Sequence, residues 1–330
     1  MKATLEKLFE HKSLSREESQ QILTDLANGK NNTSQMASFL TVYRMRNLTI
    51  DELAGFRDAM IDLCIPVDFP DFNTIDLCGT GGDQKNTFNI STLASFIAAG
   101  AGEKVLKHGN YSVSSACGSS NILEYFGYRF SNKPDKLKKE VDKAGICFLH
   151  APLFHPAMRN IAPVRKDLGI KTFFNMLGPM VNPGNPANQL VGVYSSEVSR
   201  IYHYLYQDLD KNHAIVHSLD GYDEISLTGM ARVEASFGKY FLSPESFGFK
   251  RVQPDSILGG DTIERSARLF KKILEGEGSS SQNQVAIANA AMGLKTIYPD
   301  HSLDKCVEKA YNSLMNKDAL KAFNQLINMQ

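Results

Sequence analysis

The sequence predicts an α/β protein with a small all-helical N-terminal lobe and a large α/β lobe whose central sheet is flanked by helices. Three observations carry that expectation. The first sixty-odd residues read as helices, short strands alternate with helices from residue 74, and residues 261–328 return to helix. Alternation of this kind is the pattern of a sheet with helices on its faces.

Ser15 with Glu18 makes a capping-box pattern, followed by Ile22, Leu23 and Leu26 at helical spacing. Asn28-Gly29 breaks the chain before a second helix from about Ser34 to Met45. Thr49 with Glu52 is another capping box, and Leu53, Phe56, Met60 and Ile61 form its apolar stripe. Pro66 and Pro70 then mark a boundary. Beyond it the strands are Ile75–Leu77, Lys104–Lys107, Ile146–Leu149, Gln189–Val193, Ala214–Leu219, Arg232–Phe237 and Lys239–Leu242. Helices are expected at Ser91–Ala101, near Ser120–Phe126, at Pro134–Ala144, and at Asp261–Leu274, Ser281–Leu294, Leu303–Met315 and Ala319–Asn328.

At 330 residues the chain has room for two domains. The expected division is a helical lobe over 1–68, joined by helices from about 160–180, and an α/β lobe over 69–330. Thirty-six basic residues balance thirty-six acidic ones, so the basic excess of an obligate nucleic-acid or anionic-membrane binder is absent. The longest apolar run, Leu93–Gly102, is half of what a bilayer requires, and Lys2, Glu6 and Lys7 stand where a signal peptide would be apolar. Five cysteines without a CxxC pair point to reduced thiols and a cytoplasmic location.

Four segments carry candidate chemistry. Asp76-Leu77-Cys78-Gly79-Thr80-Gly81-Gly82-Asp83 leads to Asn89-Ile90-Ser91-Thr92, between a strand and a helix. Three glycines in four residues let the backbone approach a ligand, and a helix start suits an anion. The alternative is a glycine turn with an ordinary N-cap. Neither a Walker A nor a dinucleotide GxGxxG is present, because no Gly-Lys-Ser/Thr follows and Gln84 stands at the last glycine.

The second segment, Lys107-His108-Gly109-Asn110-Tyr111-Ser112-Val113-Ser114-Ser115 through Ser119, ends a strand in a cation, a glycine and hydroxyls. Such a set can bind several phosphate oxygens, although a Ser-rich run is commonly a solvated loop. The third runs from His150 and His155 to Arg165 and Leu177-Gly178-Pro179. Arg165 is a candidate carboxylate clamp, with a surface ion pair as the alternative. His150 and His155 read equally as acid–base groups or as packing residues. Fourth, Asp223-Glu224 follows an apolar strand by one tight turn. Adjacent carboxylates suit Mg²⁺ bound together with substrate phosphates; alone they would read as a solvated acidic turn.

Taken in order, Gly79–Asp83, Asn89–Thr92, Lys107–Asn110, His155-Pro156-Ala157-Met158, Arg165 through Pro179 and Asp223-Glu224 resemble the anthranilate phosphoribosyltransferase family over about residues 75–228. The resemblance implies a substrate cleft between the lobes, a homodimer, and Mg²⁺, two ions being expected. It also implies transfer of phosphoribose from phosphoribosyl pyrophosphate to the amine of anthranilate, in tryptophan biosynthesis. By the same resemblance Gly79, Gly82, Asp83, Thr87, Asn89, Ile90, Ser91, Thr92, the run Lys107–Ser115 and Ser119 contact the donor. Gly79, Asn110 and Arg165 match anthranilate-binding positions, and Ser91, Asp223 and Glu224 match magnesium ligands. Lys107, His108 and Arg165 are the catalytic candidates, Lys107 opposing charge on the leaving group and His108 standing nearest to a general base.

Three residues depart from the family's habit. Tyr111 stands where arginine is common, Ala116 where a basic residue is common, and Gln84 where glycine is frequent. Lys85 is available to restore charge to the first loop. Two rivals remain in view: a pyrimidine nucleoside phosphorylase of the same fold, whose first loop has another pattern, and a nucleic-acid-binding relative, which zero net charge disfavours.

Overall fold

The structure, a computed structural model, describes residues 1–111 and 117–330. The chain opens with helices α1 (Lys2–Phe9), α2 (Arg16–Ala27), α3 (Thr33–Met45) and α4 (Ile50–Asp62). Then come β1 (Thr74–Gly79), α5 (Ile90–Gly100), β2 (Lys104–Gly109), α6 (Ser119–Tyr125), α7 (Pro134–Ala144) and β3 (Ile146–His150). Three short helices follow: α8 (Ala151–Phe154), α9 (Ala162–Leu168) and α10 (Phe174–Leu177). After them lie β4 (Asn188–Gly192), α11 (Ser196–Gln207), β5 (Asn212–Ser218) and the hairpin β6 (Ala231–Ala235) to β7 (Gly238–Leu242). Helices α12 (Ile263–Leu274), α13 (Ser280–Ile297), α14 (Leu303–Met315) and α15 (Asp318–Asn328) complete the chain. It divides into two compact units, Met1–Pro66 with Ala151–Pro183, and Val67–His150 with Gly184–Gln330.

The first unit is helical, and its helix starts follow from local chemistry. Ser15 accepts from Glu18 N while Glu18 accepts from Ser15 N at 2.7 Å, and Thr49 with Glu52 forms the same reciprocal pair. Asn32 and Gln35 add a third such cap, beyond the two expected from the sequence. Phe39, Tyr43, Phe56 and Phe173 pack edge-on or stacked at the centre of this unit. Glu52 is fully buried there and is satisfied by Leu14 N, the Tyr43 hydroxyl and Arg46.

The second unit holds a seven-stranded sheet of order β3-β2-β1-β4-β5-β6-β7, parallel from β3 through β5 and antiparallel beyond. Strands β1 to β5 are buried along most of their length, which explains their unbroken apolar character, since helices cover both faces of a parallel sheet. Helix α5 is apolar nearly all round because it packs on β1 and β2 and against α13. Helix α11 was not anticipated, although Ser195 caps it and Val198, Ile201, Tyr202 and Leu205 are its buried stripe.

The strand order reverses direction at β1. Connections from β1 run outward through β2 to β3 on one side, while β4 and β5 lie on the other. Ligands of open parallel sheets bind at the carboxyl ends of strands flanking such a switch point. Here that position is the junction of β1 and β4, where Gly79 and Gly192 are register partners.

Candidate active site

Both strands at the switch point end in glycine, and the acidic pair occupies the space this leaves. A Cβ on Gly79 would stand 2.4 Å from Asp223 Oδ2, and one on Gly192 would stand 1.5 Å from the Asp223 carbonyl oxygen. Gly81 and Gly82 take φ of 66° and 80°, a left-handed turn that aims Gly81 N–H at Asp223 Oδ2, 2.7 Å away. Ser91 N–H, in the first turn of α5, donates to Glu224 Oε1 at 2.9 Å. The first loop and the acidic doublet, separated by some 140 residues in sequence, are thus one structure.

The doublet is also held from behind. Ser218 Oγ donates to the Glu224 carbonyl at 2.6 Å, and Asn289 of α13 bonds both the N–H and the carbonyl of Ile225. Burial, then the negative charge of Asp83, pushes the Asp223 carboxyl well above the usual range. Glu224 is raised by burial and then by Asp223. Buried carboxylates that repel one another bind a proton or a cation to relieve the charge. Among the described residues no three or more His, Cys, Asp or Glu converge to hold an ion alone. Two carboxylates beside a phosphate-type loop nevertheless fit Mg²⁺, which keeps waters and shares itself with substrate phosphates.

The remaining residues of the first segment are placed less simply. Asn89 does not cap α5; its Nδ2 donates to the Cys117 carbonyl at 3.1 Å and ties the start of α5 to the far end of the second loop. Thr92 and Ile90 are buried, Thr87 forms an isolated bridge with Leu258, and the Asp83 carboxylate accepts from Lys85 N. Lys85 lies over the Tyr222 ring, 4.8 Å from its centroid. Gln84, at the habitual glycine position, has φ +62°, the conformation glycine adopts at least cost.

The second loop corrects one expectation. Lys107 is not the last residue of its strand: β2 continues to Gly109, and Lys107 is 2% exposed. Its ammonium donates to the Leu77 carbonyl of β1 at 2.7 Å, and its charge acts on Glu224. His108 is buried in the strand, and its backbone N–H donates to Asp76 Oδ1 at 3.3 Å. Gly109 is obligatory, because a Cβ would meet Ser119 Oγ at 2.5 Å and the Phe148 ring at 2.6 Å. Asn110 is exposed, and its carbonyl accepts from Ser120 N and Ser119 Oγ. Tyr111 donates to Glu124 at 3.2 Å. Ser112, Val113, Ser114, Ser115 and Ala116 lie outside the described residues.

In the helical unit Arg165 sits on α9, half-buried, with its guanidinium 4.9 Å from the Phe174 ring centroid. His155 is buried and bonds the Val181 carbonyl through Nε2, and burial pulls its pKa down to about 4. Of the two readings left open for it, packing is the one the structure supports. His150, in the α/β unit, bonds Ser120 and stacks on Phe130. Sequence reading missed Gly192, Ser218 and Asn289, which position the acidic pair. Gly192 closing an apolar strand was the one available signal.

The α/β domain of the glycosyl transferase family matches residues 71–320, and that family's helical bundle domain matches residues 2–64. An anthranilate phosphoribosyltransferase of Flavobacterium johnsoniae is 55% identical over 99% of this chain and 98% of its own length. The chain belongs to the anthranilate phosphoribosyltransferase family. The family member from Bacteroides fragilis strain YCH46 is 47% identical over 99% of each chain. Among solved structures, the Thermus thermophilus enzyme superposes with a TM-score of 0.91 at 32% identity, covering 98% of both chains. The Saccharomyces cerevisiae enzyme in complex with PRPP and Mg gives 0.91 at 26% identity, covering 100% of this chain and 98% of that one.

Proposed function

We propose that the first glycine loop, the start of α5 and the Asp223-Glu224 pair form the seat of phosphoribosyl pyrophosphate, with Ser91, Asp223 and Glu224 holding Mg²⁺, two ions in all. The chain transfers the 5-phosphoribosyl group to the amine of anthranilate, giving N-(5-phosphoribosyl)anthranilate and pyrophosphate in tryptophan biosynthesis. The observation that carries the site is the pair of backbone donors, Gly81 N–H and Ser91 N–H, that aim Asp223 and Glu224 into the mouth of the loop.

In the transfer the bond from ribose C1 to the pyrophosphate oxygen breaks, the C1–N bond to anthranilate forms, and the amine gives up a proton. Positive charge gathers on the ribose ring and negative charge on the departing pyrophosphate. When bound, Mg²⁺ supplies positive charge to the leaving group. The chain's own part is to orient the donor with N–H groups and hydroxyls whose dipoles are already in place. Gly79, Gly82, Asp83, Thr87 and Asn89–Thr92 serve this on the first loop, and Lys107–Ser115 with Ser119 on the second. Lys107 acts from beneath, its buried charge opposing the negative charge of Glu224 and of the departing pyrophosphate. The arylamine is neutral at pH 7 and needs orientation more than deprotonation, so His108 is not required as a base. Gly79 and Asn110 contact anthranilate, and Arg165 holds its carboxylate through a planar fork, a charged hydrogen bond of about 1.5–3 kcal/mol.

The helical lobe is taken as residues 1–68 with about 160–180, and the donor-binding lobe as the remainder of 69–330. The working form is taken to be a cytoplasmic homodimer, on the strength of the family likeness and the odd, scattered cysteines. The test is the loss of anthranilate fluorescence with and without phosphoribosyl pyrophosphate and Mg²⁺. Loss that requires both supports the assignment; phosphorolysis of thymidine in its place would overturn it.

A further inference from the structure

The second loop is closed at its stem. Ser120 N and Ser119 Oγ both donate to the Asn110 carbonyl, at 3.3 and 3.4 Å, so the chain leaves β2 and enters α6 at nearly the same place. His150, the last residue of β3 and the register partner of Gly109, lies against this stem and touches both sides of it. On the entering side the Tyr111 ring meets the imidazole edge-on, with centroids 5.0 Å apart. On the leaving side Ser120 Oγ and His150 Nδ1 share a hydrogen bond of 3.0 Å. Phe130 stacks on the imidazole at 4.3 Å.

Packing alone does not explain a histidine here. A phenylalanine would stack on Phe130 and meet Tyr111 equally well. What the imidazole adds is Nδ1, the partner of a Ser120 hydroxyl that is fully buried and costly to leave unsatisfied. That hydroxyl follows Ser119 in the first turn of α6, so its bond sets the rotation at which the helix start faces the loop.

We infer that His150 is a positioning residue for the phosphoribosyl donor, holding the two stems of the second loop through Ser120 and Tyr111. The inference rests on the reading that this loop holds the donor. Tyr111, standing where the family commonly has arginine, thereby gains a role that needs no charge: its ring packs on His150 while its hydroxyl donates to Glu124.

The test uses the full chain and steady-state kinetics with each substrate varied in turn. His150→Phe keeps the ring and removes Nδ1, and Ser120→Ala removes the hydroxyl. Each is expected to raise the donor KM roughly three- to tenfold, the size of one buried hydrogen bond, with the anthranilate KM within about twofold. The double variant should be no worse than either single one, because both break the same contact. His150→Asn, whose amide reaches the position of Nδ1, should recover part of the donor KM. A donor KM unchanged in His150→Phe, or strictly additive effects of the two changes, overturns the inference. Should His150→Phe fail to fold, Ser120→Ala carries the same readout. Asn110→Ala separates the two levels: an unchanged donor KM there overturns the donor-loop reading itself. A raised donor KM there, with His150→Phe and Ser120→Ala at wild-type values, removes only the role of His150.

Discussion

Gly192 and Asp223 cannot both keep their places if Gly192 gains a side chain: its Cβ would lie 1.5 Å from the Asp223 carbonyl oxygen. The end of β4 is therefore a floor on which the acidic pair rests, and the carboxylates owe their position at the switch point to a missing methyl group. Asn289 and Ser218 complete the support from α13 and β5.

Gly192→Ala should therefore act on catalysis without touching a proposed ligand. The main chain at Asp223 must move by an ångström or more, and misplacement of that size can cost about a hundredfold in rate. Steady-state kinetics should show kcat/KM falling by at least tenfold, and half-maximal Mg²⁺ should shift upward. Unaltered Mg²⁺ dependence in a folded variant would mean that β4 does not position the pair.

Neutralising the pair should separate stability from activity. Asp223 and Glu224 are buried beside each other and raised in pKa, so their charges oppose folding when no cation is present. Asp223→Asn should raise the thermal midpoint in EDTA by a few degrees while abolishing Mg²⁺-dependent turnover. Mg²⁺ with donor should stabilise the wild type and leave the variant nearly unmoved. A variant that melts lower in EDTA would show that the carboxylates are already satisfied.

Arg165→Ala should raise the KM for anthranilate by ten- to a hundredfold, since one charged hydrogen-bonded contact of about 1.5–3 kcal/mol is lost. The donor KM should stay within twofold. Equal effects on both substrates would remove Arg165 from the carboxylate role and leave it as a partner of the Phe174 ring.

The helical unit carries its own pH dependence in His155. Its folded pKa of about 4 lies below the ordinary value of 6.5, so the unfolded chain binds more protons between those limits. Stability is complete above pH 6.5 and declines as pH falls toward 4, by about 3 kcal/mol in all. His155→Gln keeps a donor for the Val181 carbonyl and cannot ionise. Urea unfolding at pH 7 and pH 5 should show a smaller loss for the variant than for the wild type; equal losses would place the acid sensitivity elsewhere.

Much of the architecture was legible because it is written in local chemistry. Ser15 with Glu18 and Thr49 with Glu52 announce their helices within four residues, and the runs that became β1 to β5 are apolar because both sheet faces are covered. Helix α11 is harder to read despite its stripe, because it lies between two strand patterns. The setting of Lys107 is illegible for a different reason. A cation at an apparent strand end reads as exposed, whereas only the neighbouring strand shows that its ammonium is spent on the Leu77 carbonyl.

By itself the sequence determined the residue types of the site: glycines between a strand and a helix, an acidic doublet and hydroxyls at a helix start, in an order that identifies the family. Those features are local, and their chemistry survives transcription into a linear string. Tertiary structure alone decided that Asp223 and Glu224 belong to the Gly81 turn, that Gly192 and Asn289 hold them there, and that His150 faces Ser120. Each of these is a contact between distant segments, set by the order in which parallel strands were laid beside one another, and no window of neighbouring residues contains it.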